Sequence, residues 1–420
     1  MSTTPLLPIV VVGAGAAGAM AAIFAAERGA PVLLLERTRE GGRKILMSGG
    51  GRCNVLPSAL DPSRFVTASS PNTMRNLLRS WPLGEQRRFF EETLGIPLAL
   101  EEETGKLFPV SNRARDVRDG LLALAARSGV EARFGATVEE IARGSDGTWS
   151  VRVAGDAAPL RAGRVVLATG GLSVPATGSD GKGLAIARGL GHVVHETYPA
   201  LTPLLARPHR YAALAGVSLP VRIEAPGGSR PLVAEGGFLF THKGYSGPSV
   251  LNVSHRCVRS RLAGGPLQEL FVRWTPLGAP AWEEAFRRGE GTVGAAVRRR
   301  LPARLAEALL ADADVAAATP LAQLRREERR RVIEALTHHR LPWDGDEGYT
   351  KAEVTGGGVA LDEIDPRTLE SRRAPGLHLC GEMLDAFGPI GGYNFAWAWA
   401  TGRAAGRGAA SGAASAAPSE

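Results

Sequence analysis

Three glycines near the N-terminus, Gly13, Gly15 and Gly18, follow the apolar run Val10-Val11-Val12 at G-x-G-x-x-G spacing. The first glycine permits a tight turn, the second lets backbone approach a phosphate, and the third lets a helix pack on the preceding strand. Ala14, Ala16 and Ala17 keep the rest of the loop small. The free amides and positive dipole end of a helix starting there suit a pyrophosphate. A second apolar run, Val32–Leu35, ends in Glu36, followed by Arg37. A carboxylate at that distance accepts hydrogen bonds from ribose hydroxyls. Strand, turn, helix, strand and terminal acid together point to an adenine dinucleotide.

Three later segments favour FAD over NAD. Val165–Ala168 leads into Thr169-Gly170-Gly171, and Leu377–Cys380 leads into Gly381-Glu382. Both are similar to strands of glutathione-reductase-like flavoproteins, where the late acid lies beside the ribitol. Gly391-Gly392-Tyr393-Asn394 then opens an apolar helix over Phe395–Ala405. Its N-terminal dipole would face the flavin pyrimidine edge and favour the charge that reduction places there. No second strand–turn–helix unit carrying this fingerprint is read further along the chain, so any nicotinamide donor would bind without its own Rossmann unit.

Side chains that could act on a substrate cluster in and around glycine loops. Only five of the 50 basic residues are Lys, and a Lys retained in an Arg-dominated chain does what Arg cannot. Lys44 is the foremost of them; a structural loop contact is its other reading. Cys53 is an acid near the flavin or a small packing residue. His242, between Thr241 and Lys243, faces substrate or braces its loop. Asp385 orients backbone near the flavin or caps a turn. Cys257 and Cys380 read as packing residues. His338 and His339 lack ligand spacing, so no metal is expected.

The stretch from Arg43 to Asn54, Arg43-Lys44-Ile45-Leu46-Met47-Ser48-Gly49-Gly50-Gly51-Arg52-Cys53-Asn54, sets polyglycine beside Arg, Lys and Asn, as a loop wrapping an anionic cofactor would. It resembles the signature of the BaiN/YhiN-like, or aminoacetone-oxidase-like, flavoproteins. Gly105–Ser111, Thr169–Ser179, Phe240–Pro248, Val354–Val359 and Gly381–Asp385 extend the resemblance over nearly the whole chain. It implies an α/β fold: a glutathione-reductase-like Rossmann FAD domain carrying an inserted β-barrel-like domain and a helical insert. The expected cofactor contacts are Gly13, Ala14, Gly15, Ala16, Ala17, Gly18, Glu36, Arg37, Arg43, Lys44, Ser48, Gly49, Gly50, Arg52, Asn54, Val138, Thr169, Gly170, Gly171, Gly381, Glu382, Asp385, Gly391, Gly392, Tyr393 and Asn394. Lys44, Cys53 and His242 are the candidate catalytic residues. The family's linked activities, amine oxidation, steroid-like reduction and dihydrouridine formation in large-subunit ribosomal RNA, leave the substrate open.

The elements that must position these residues are read from pattern. A chain of 420 residues with 44% hydrophobic residues suits several soluble domains. Three scattered cysteines suit a reducing, cytoplasmic setting. Ile9–Ala26 is nearly long enough to span a membrane, but its glycines break it into strand, turn and helix. Amphipathic helices are expected over Arg75–Leu94 and Ala114–Ser128, and a β-meander over Val130–Ala168. Short strands follow, at Val221–Ile223 and Gly237–Thr241, then an Arg-rich helical stretch. The expected divisions are 1–192 for the first part of the FAD domain, 193–254 for a β insert and 255–340 for a helical basic insert. Residues 341–408 return to the β and FAD domains, and 409–420 form a disordered tail, its Ala/Ser/Gly character starting at Gly406.

Charge points to a partner. The net charge is +8 and the pI about 9.8. Residues 255–340 hold 16 Arg and no Lys against 10 acidic residues. Arg325, Arg326, Arg329 and Arg330 are the expected phosphate contacts, with a solvated helix face as the other reading. Two activities remain open here: an NAD(P)H-dependent reductase acting on ribosomal RNA, and an oxygen-dependent oxidase of a small amine.

Overall fold

The computed structural model describes residues 6–228 and 230–414. The chain divides into two compact units, residues 1–197 with 354–420, and residues 198–353.

The first unit is built on a five-stranded parallel sheet in the order Leu377–Leu379, Arg164–Leu167, Ile9–Val12, Val32–Glu36, Glu131–Phe134. Ile9–Val12 is central and fully buried, as expected of an unbroken run of β-branched residues in a parallel sheet. Glu131–Phe134, expected to open the meander, is instead the edge strand beside Val32–Glu36. The meander proper is the three-stranded antiparallel sheet Val138–Arg143, Trp149–Val153, Leu160–Ala162. The predicted helix over Arg75–Leu94 is also divided, into Pro71–Arg79, Leu83–Arg88 and a π-helical turn at Phe89–Thr93. Pro82 lies at the break, where its preceding residue is steered away from helical backbone.

The apolar segment Ile9–Ala26 is a strand, a loop and the helix Ala16–Ala26. No helix among the described residues is long and apolar enough to cross a membrane.

The C-terminal helix runs from Tyr393 to Ala414, so the expected disorder from Gly406 is corrected up to Ala414. Residues 415–420 lie outside the described residues. Small residues make this helix possible rather than preventing it. A Cβ on Gly402 would lie 2.3 Å from the Ala17 carbonyl oxygen, and one on Gly406 would lie 2.2 Å from that of Ala21. The two backbones meet through glycine, and tertiary packing overrides the weak helix propensity of Gly and Ser.

The second unit holds a seven-stranded antiparallel sheet, from His339–Arg340 and Phe271–Arg273 through Ser218–Ala225, Leu232–Phe240, Gly244–Ser246 and Leu204–Leu205 to Gly345–Asp346. Its two outer strands are not paired with each other among the described residues, although only residues 341–344 separate them in the chain. The helix Pro248–Leu262 crosses the expected boundary at 254/255. Sheet residues such as Phe238 and Trp274 share one apolar core with the helical residues Trp282, Leu305 and Leu336. The β and helical inserts are therefore one folding unit.

Candidate active site

The glycine loop between Ile9–Val12 and Ala16–Ala26 adopts the geometry its spacing predicts. Gly13 has φ +101°, and a Cβ there would lie 2.6 Å from the Ala168 carbonyl oxygen. A Cβ on Gly18 would fall 1.8 Å from the Gly13 carbonyl oxygen. Gly15 differs: nothing lies within 4 Å of where its Cβ would stand. It is the N-cap of Ala16–Ala26, with no capping side chain and no acid in the first turn. The helix therefore presents its first amides and its positive dipole end beside an open cradle.

Glu36, which is buried, fixes this loop. Its Oε2 accepts from the Ala14 amide at 2.8 Å, and its Oε1 accepts from the Thr38 amide at 2.8 Å and the Thr38 hydroxyl at 2.7 Å. A carboxylate has about four acceptor sites, so one remains for a ribose hydroxyl. Arg37 pairs with Asp180 and donates to the Gly178 carbonyl. The Gly42 amide donates to the Ala14 carbonyl at 2.8 Å, which ties the next loop to the first.

That next loop contains the short helix Arg43–Met47 and a turn at Ser48–Gly51. Gly49, Gly50 and Gly51 have φ of +56°, +68° and +87°, a run of left-handed backbone that other residues adopt only at a cost. All three are exposed, as is Arg43. The Ser48 hydroxyl donates to the Ile45 carbonyl. Arg52 lies 4.0 Å over the Phe108 ring and pairs with Glu101 at 3.0 Å. Asn54, with its amide oriented to satisfy both neighbours, donates to the Leu56 carbonyl at 3.1 Å and accepts from the Gly392 amide at 2.9 Å. Asn394 clamps Gly388 through both its amide atoms, at 2.8 and 2.9 Å. Gly391 and Gly392 have φ of +123° and +88°, and nothing lies within 4 Å of a Cβ on Gly391. Tyr393 is buried and meets Arg64. Val138 is buried at the start of its strand.

Lys44 is held at the centre of a polar hub. Its Nζ donates to Glu382 Oε2 at 2.6 Å and to Ser173 Oγ at 2.7 Å. Glu382 Oε1 accepts from Ser173 Oγ at 2.5 Å, and from the amide and hydroxyl of Thr355, both at 3.0 Å. Thr355 Oγ1 in turn accepts from the amides of Leu172 and Ser173 at 2.7 and 3.1 Å. A Cβ on Gly171 would lie 2.3 Å from Thr355 Oγ1, so only glycine fits there. Gly170 turns the same segment at φ +72°. Gly381 is seated through its amide on Thr401 and through its carbonyl on Trp397, both at 3.0 Å. Lys44 thus joins the segments around 44, 173, 355 and 382. Ser173 and Thr355 lie inside motifs visible in the sequence, but their role depends on contacts that sequence spacing does not reveal. Lys44→Met should cost about 1–2 kcal/mol, since hydrogen bonds to charged groups are worth roughly 1.5–3 kcal/mol and this pair is partly solvated. An unchanged urea midpoint would show that the hub does not hold in solution.

Asp385 braces a different loop. Its Oδ2 accepts from the Thr67 hydroxyl at 3.0 Å, the Ala68 amide at 2.9 Å, and the Ser69 amide and hydroxyl, both at 2.8 Å. Its side chain is 3% exposed. Asp385→Ala removes the acceptor shared by four donors, of which the Ser69 amide keeps Thr67 Oγ1 and the Ser69 hydroxyl keeps His195, and should cost about 3 kcal/mol. Asp385→Asn retains an oxygen and should recover part of the loss. Equal denaturation midpoints for wild type and Asp385→Ala would contradict the assignment.

The other two expected catalytic residues, Cys53 and His242, differ in their settings. Cys53 is fully buried in the core of the first unit. Burial, partly offset by a hydrogen bond with the Ser48 side chain, pushes its thiol up to about 12. Its packing role displaces the acid role. His242 is exposed in the turn between Leu232–Phe240 and Gly244–Ser246 of the second unit. Cys257 and Cys380 are buried free thiols.

The arginine run is largely self-neutralised. Arg325 pairs with Glu328, Arg329 with Glu283 at 2.9 Å, and Arg330 with Glu327 at 2.6 Å and Glu334 at 3.4 Å. Among these four only Arg326 forms no ion pair among the described residues. Arg298, Arg299, Arg300 and Arg304 are all exposed and form no ion pair within 4.0 Å among the described residues. Arg304 donates to the Ala213 carbonyl at 2.9 Å.

An open cradle at Gly15, a free helix N-terminus and a buried terminal acid fit the pyrophosphate and ribose of FAD. The glycine-lined openings at Gly50 and Gly391 continue the fit. Fold and site together define an FAD-dependent oxidoreductase of the glutathione-reductase-like class. The model of the HI0933-like protein Rossmann domain matches residues 7–408, and the chain belongs to that family. It is 35% identical over 401 residues to the 3-dehydro-bile acid delta(4,6)-reductase of Clostridium scindens, covering 93% of this chain and 96% of the relative. It is 33% identical over 401 residues to the ribosomal RNA dihydrouridine synthase of Escherichia coli, covering 93% of this chain and 95% of the relative. Among solved structures, a 3-ketosteroid delta1-dehydrogenase from Sterolibacterium denitrificans is similar in fold at TM-score 0.53. There the identity is 12%, over 97% of this chain and 100% of the other.

Proposed function

We propose that this protein is a reductase that adds hydrogen across the C5–C6 double bond of a uridine in large-subunit ribosomal RNA, with NAD(P)H as hydride donor. The observation that carries this reading is the exposed set Arg298, Arg299, Arg300 and Arg304, which forms no ion pair among the described residues. A polyanion gains free energy from such a set through counterion release. A neutral small molecule gains none. The names of the two relatives support one underlying chemistry, reduction of a carbon–carbon double bond conjugated to a carbonyl. In uridine that carbonyl is at C4, so hydride enters at C6 and a proton at C5.

When bound, FAD supplies the two-electron hydride relay between donor and double bond. The amides after Gly15 would hold its pyrophosphate, and Glu36 its ribose. The hub of Lys44, Ser173, Thr355 and Glu382 orients the loops around it. The target base leaves its stack to react, and the arginines of the second unit bind phosphates of the same RNA. This reading implies a cytoplasmic protein.

The test supplies FAD-loaded protein with ribosomal RNA and NADPH and reads the RNA by nucleoside mass spectrometry. One uridine should gain two mass units as NADPH is consumed. Rapid oxygen-dependent oxidation of an aminoacetone-like amine, with no dihydrouridine in the RNA, would instead establish the oxidase. Reduction of a 3-oxo steroid alone would establish a small-molecule reductase.

A further inference from the structure

Beyond the dinucleotide loop, at the far end of the helix Ala16–Ala26, the first unit has a second cleft of about 500 Å³. The helix has 11 residues, which separates the cleft from Gly15 by roughly 17 Å at 1.5 Å per residue. Four arginines line the cleft: Arg28, Arg367, Arg403 and Arg407. None forms an ion pair within 4.0 Å among the described residues. Elsewhere in this chain arginines commonly meet a carboxylate, as the self-neutralised helix Arg326–Thr337 shows.

The guanidiniums are also held in place. Arg403 lies 5.5 Å over Phe24 and 5.1 Å over Trp81, and donates to the Ser80 carbonyl at 3.2 Å. Arg407, one turn along, lies 5.3 Å over Phe24. Arg28 donates to the Ser411 hydroxyl at 3.0 Å. A Cβ on Gly408 would lie 2.4 Å from the Thr368 carbonyl oxygen, so this glycine lets the Arg367 segment lie close to the helix. Burial and the charge of Arg407 hold the Arg403 guanidinium below its usual range, and the carboxylates of Glu85 and Glu27 offset this only at longer range. Like charges preorganised in a concave site are stabilised by a multivalent anion, and guanidinium donors match phosphate oxygens.

The structure assigns this cleft as a binding site for a phosphate group, separate from the dinucleotide site and independent of the RNA reading. The phosphate can come from a polynucleotide backbone or from a free phosphate ester.

The experiment uses FAD-loaded, full-length protein, so that the dinucleotide loop is occupied. Calorimetry with inorganic pyrophosphate, AMP, adenosine and a short oligoribonucleotide reads the binding. Pyrophosphate should bind wild type, and Arg28→Gln with Arg367→Gln should weaken it about tenfold or more. Both residues are exposed and stack on no core ring among the described residues, so FAD absorbance should persist. Arg298→Gln with Arg300→Gln, in the other unit, should leave pyrophosphate binding unchanged. Tighter binding of the oligoribonucleotide than of AMP, kept in Arg298→Gln with Arg300→Gln and lost in the cleft variant, supports a polynucleotide source. AMP binding as tightly as the oligoribonucleotide supports a free ester. No pyrophosphate binding by wild type, unchanged binding by the cleft variant, or adenosine binding as tightly as AMP would each overturn the assignment.

Discussion

Gly15→Val should yield a folded, colourless protein. Gly15 has φ −77°, a backbone any residue adopts, and no protein atom lies within 4 Å of the added Cβ. The substitution therefore strains no backbone and starts its side chain in the space where a pyrophosphate would meet the helix N-terminus. Loss of two or more charge-assisted hydrogen bonds, each worth about 1.5–3 kcal/mol, weakens FAD binding by at least about a hundredfold. Gly18→Val is the contrasting variant. Its Cβ would fall 1.8 Å from the Gly13 carbonyl oxygen, so it should fail to fold. Flavin absorbance and thermal melting, read against wild-type protein stripped of FAD, separate the two cases. Full FAD occupancy in Gly15→Val would contradict the dinucleotide site.

Replacing Arg298, Arg299, Arg300 and Arg304 with Gln should weaken ribosomal RNA binding and flatten its salt dependence. Each neutralised phosphate contributes about 0.7–0.9 to the slope of log affinity against log salt. Four lost contacts should reduce that slope by about 3. The same change at Arg325, Arg326, Arg329 and Arg330 should reduce it by about 1, because three of those arginines already face glutamates. Both variants should keep the flavin spectrum. Equal effects of the two sets, measured from low to moderate salt, would remove the distinction drawn between them.

The dinucleotide loop was legible in the sequence because its glycine spacing is a local backbone requirement. Gly13 and Gly18 make the close approaches their spacing implies, and Glu36 ends its strand buried against the loop. The strands at 165–167 and 377–379 likewise followed from apolar runs ending at glycine. Side-chain partnerships were not legible, because they join distant segments. The Lys44–Glu382 pair spans 338 positions, and nothing near Asp385 in sequence announces Thr67 to Ser69 as its partners. For Cys53 the sequence left an acid near the flavin and a small packing residue both open, and its side chain is buried in the core. The C-terminal helix was misread because Ala, Gly and Ser also compose disordered tails; its glycines serve close packing on Ala17 and Ala21. The pairing within the Arg325 segment was readable, since Glu328 follows Arg325 by three and Glu334 follows Arg330 by four, the spacing that brings helical side chains together.

The central claim, reduction of a ribosomal uridine at this FAD site, is tested most directly by nucleoside mass spectrometry of large-subunit ribosomal RNA. Cells lacking the gene are compared with cells complemented by wild type or by Gly15→Val. Dihydrouridine should be lost with the gene, restored by wild type and not restored by Gly15→Val. An equal dihydrouridine content in all three would contradict the account.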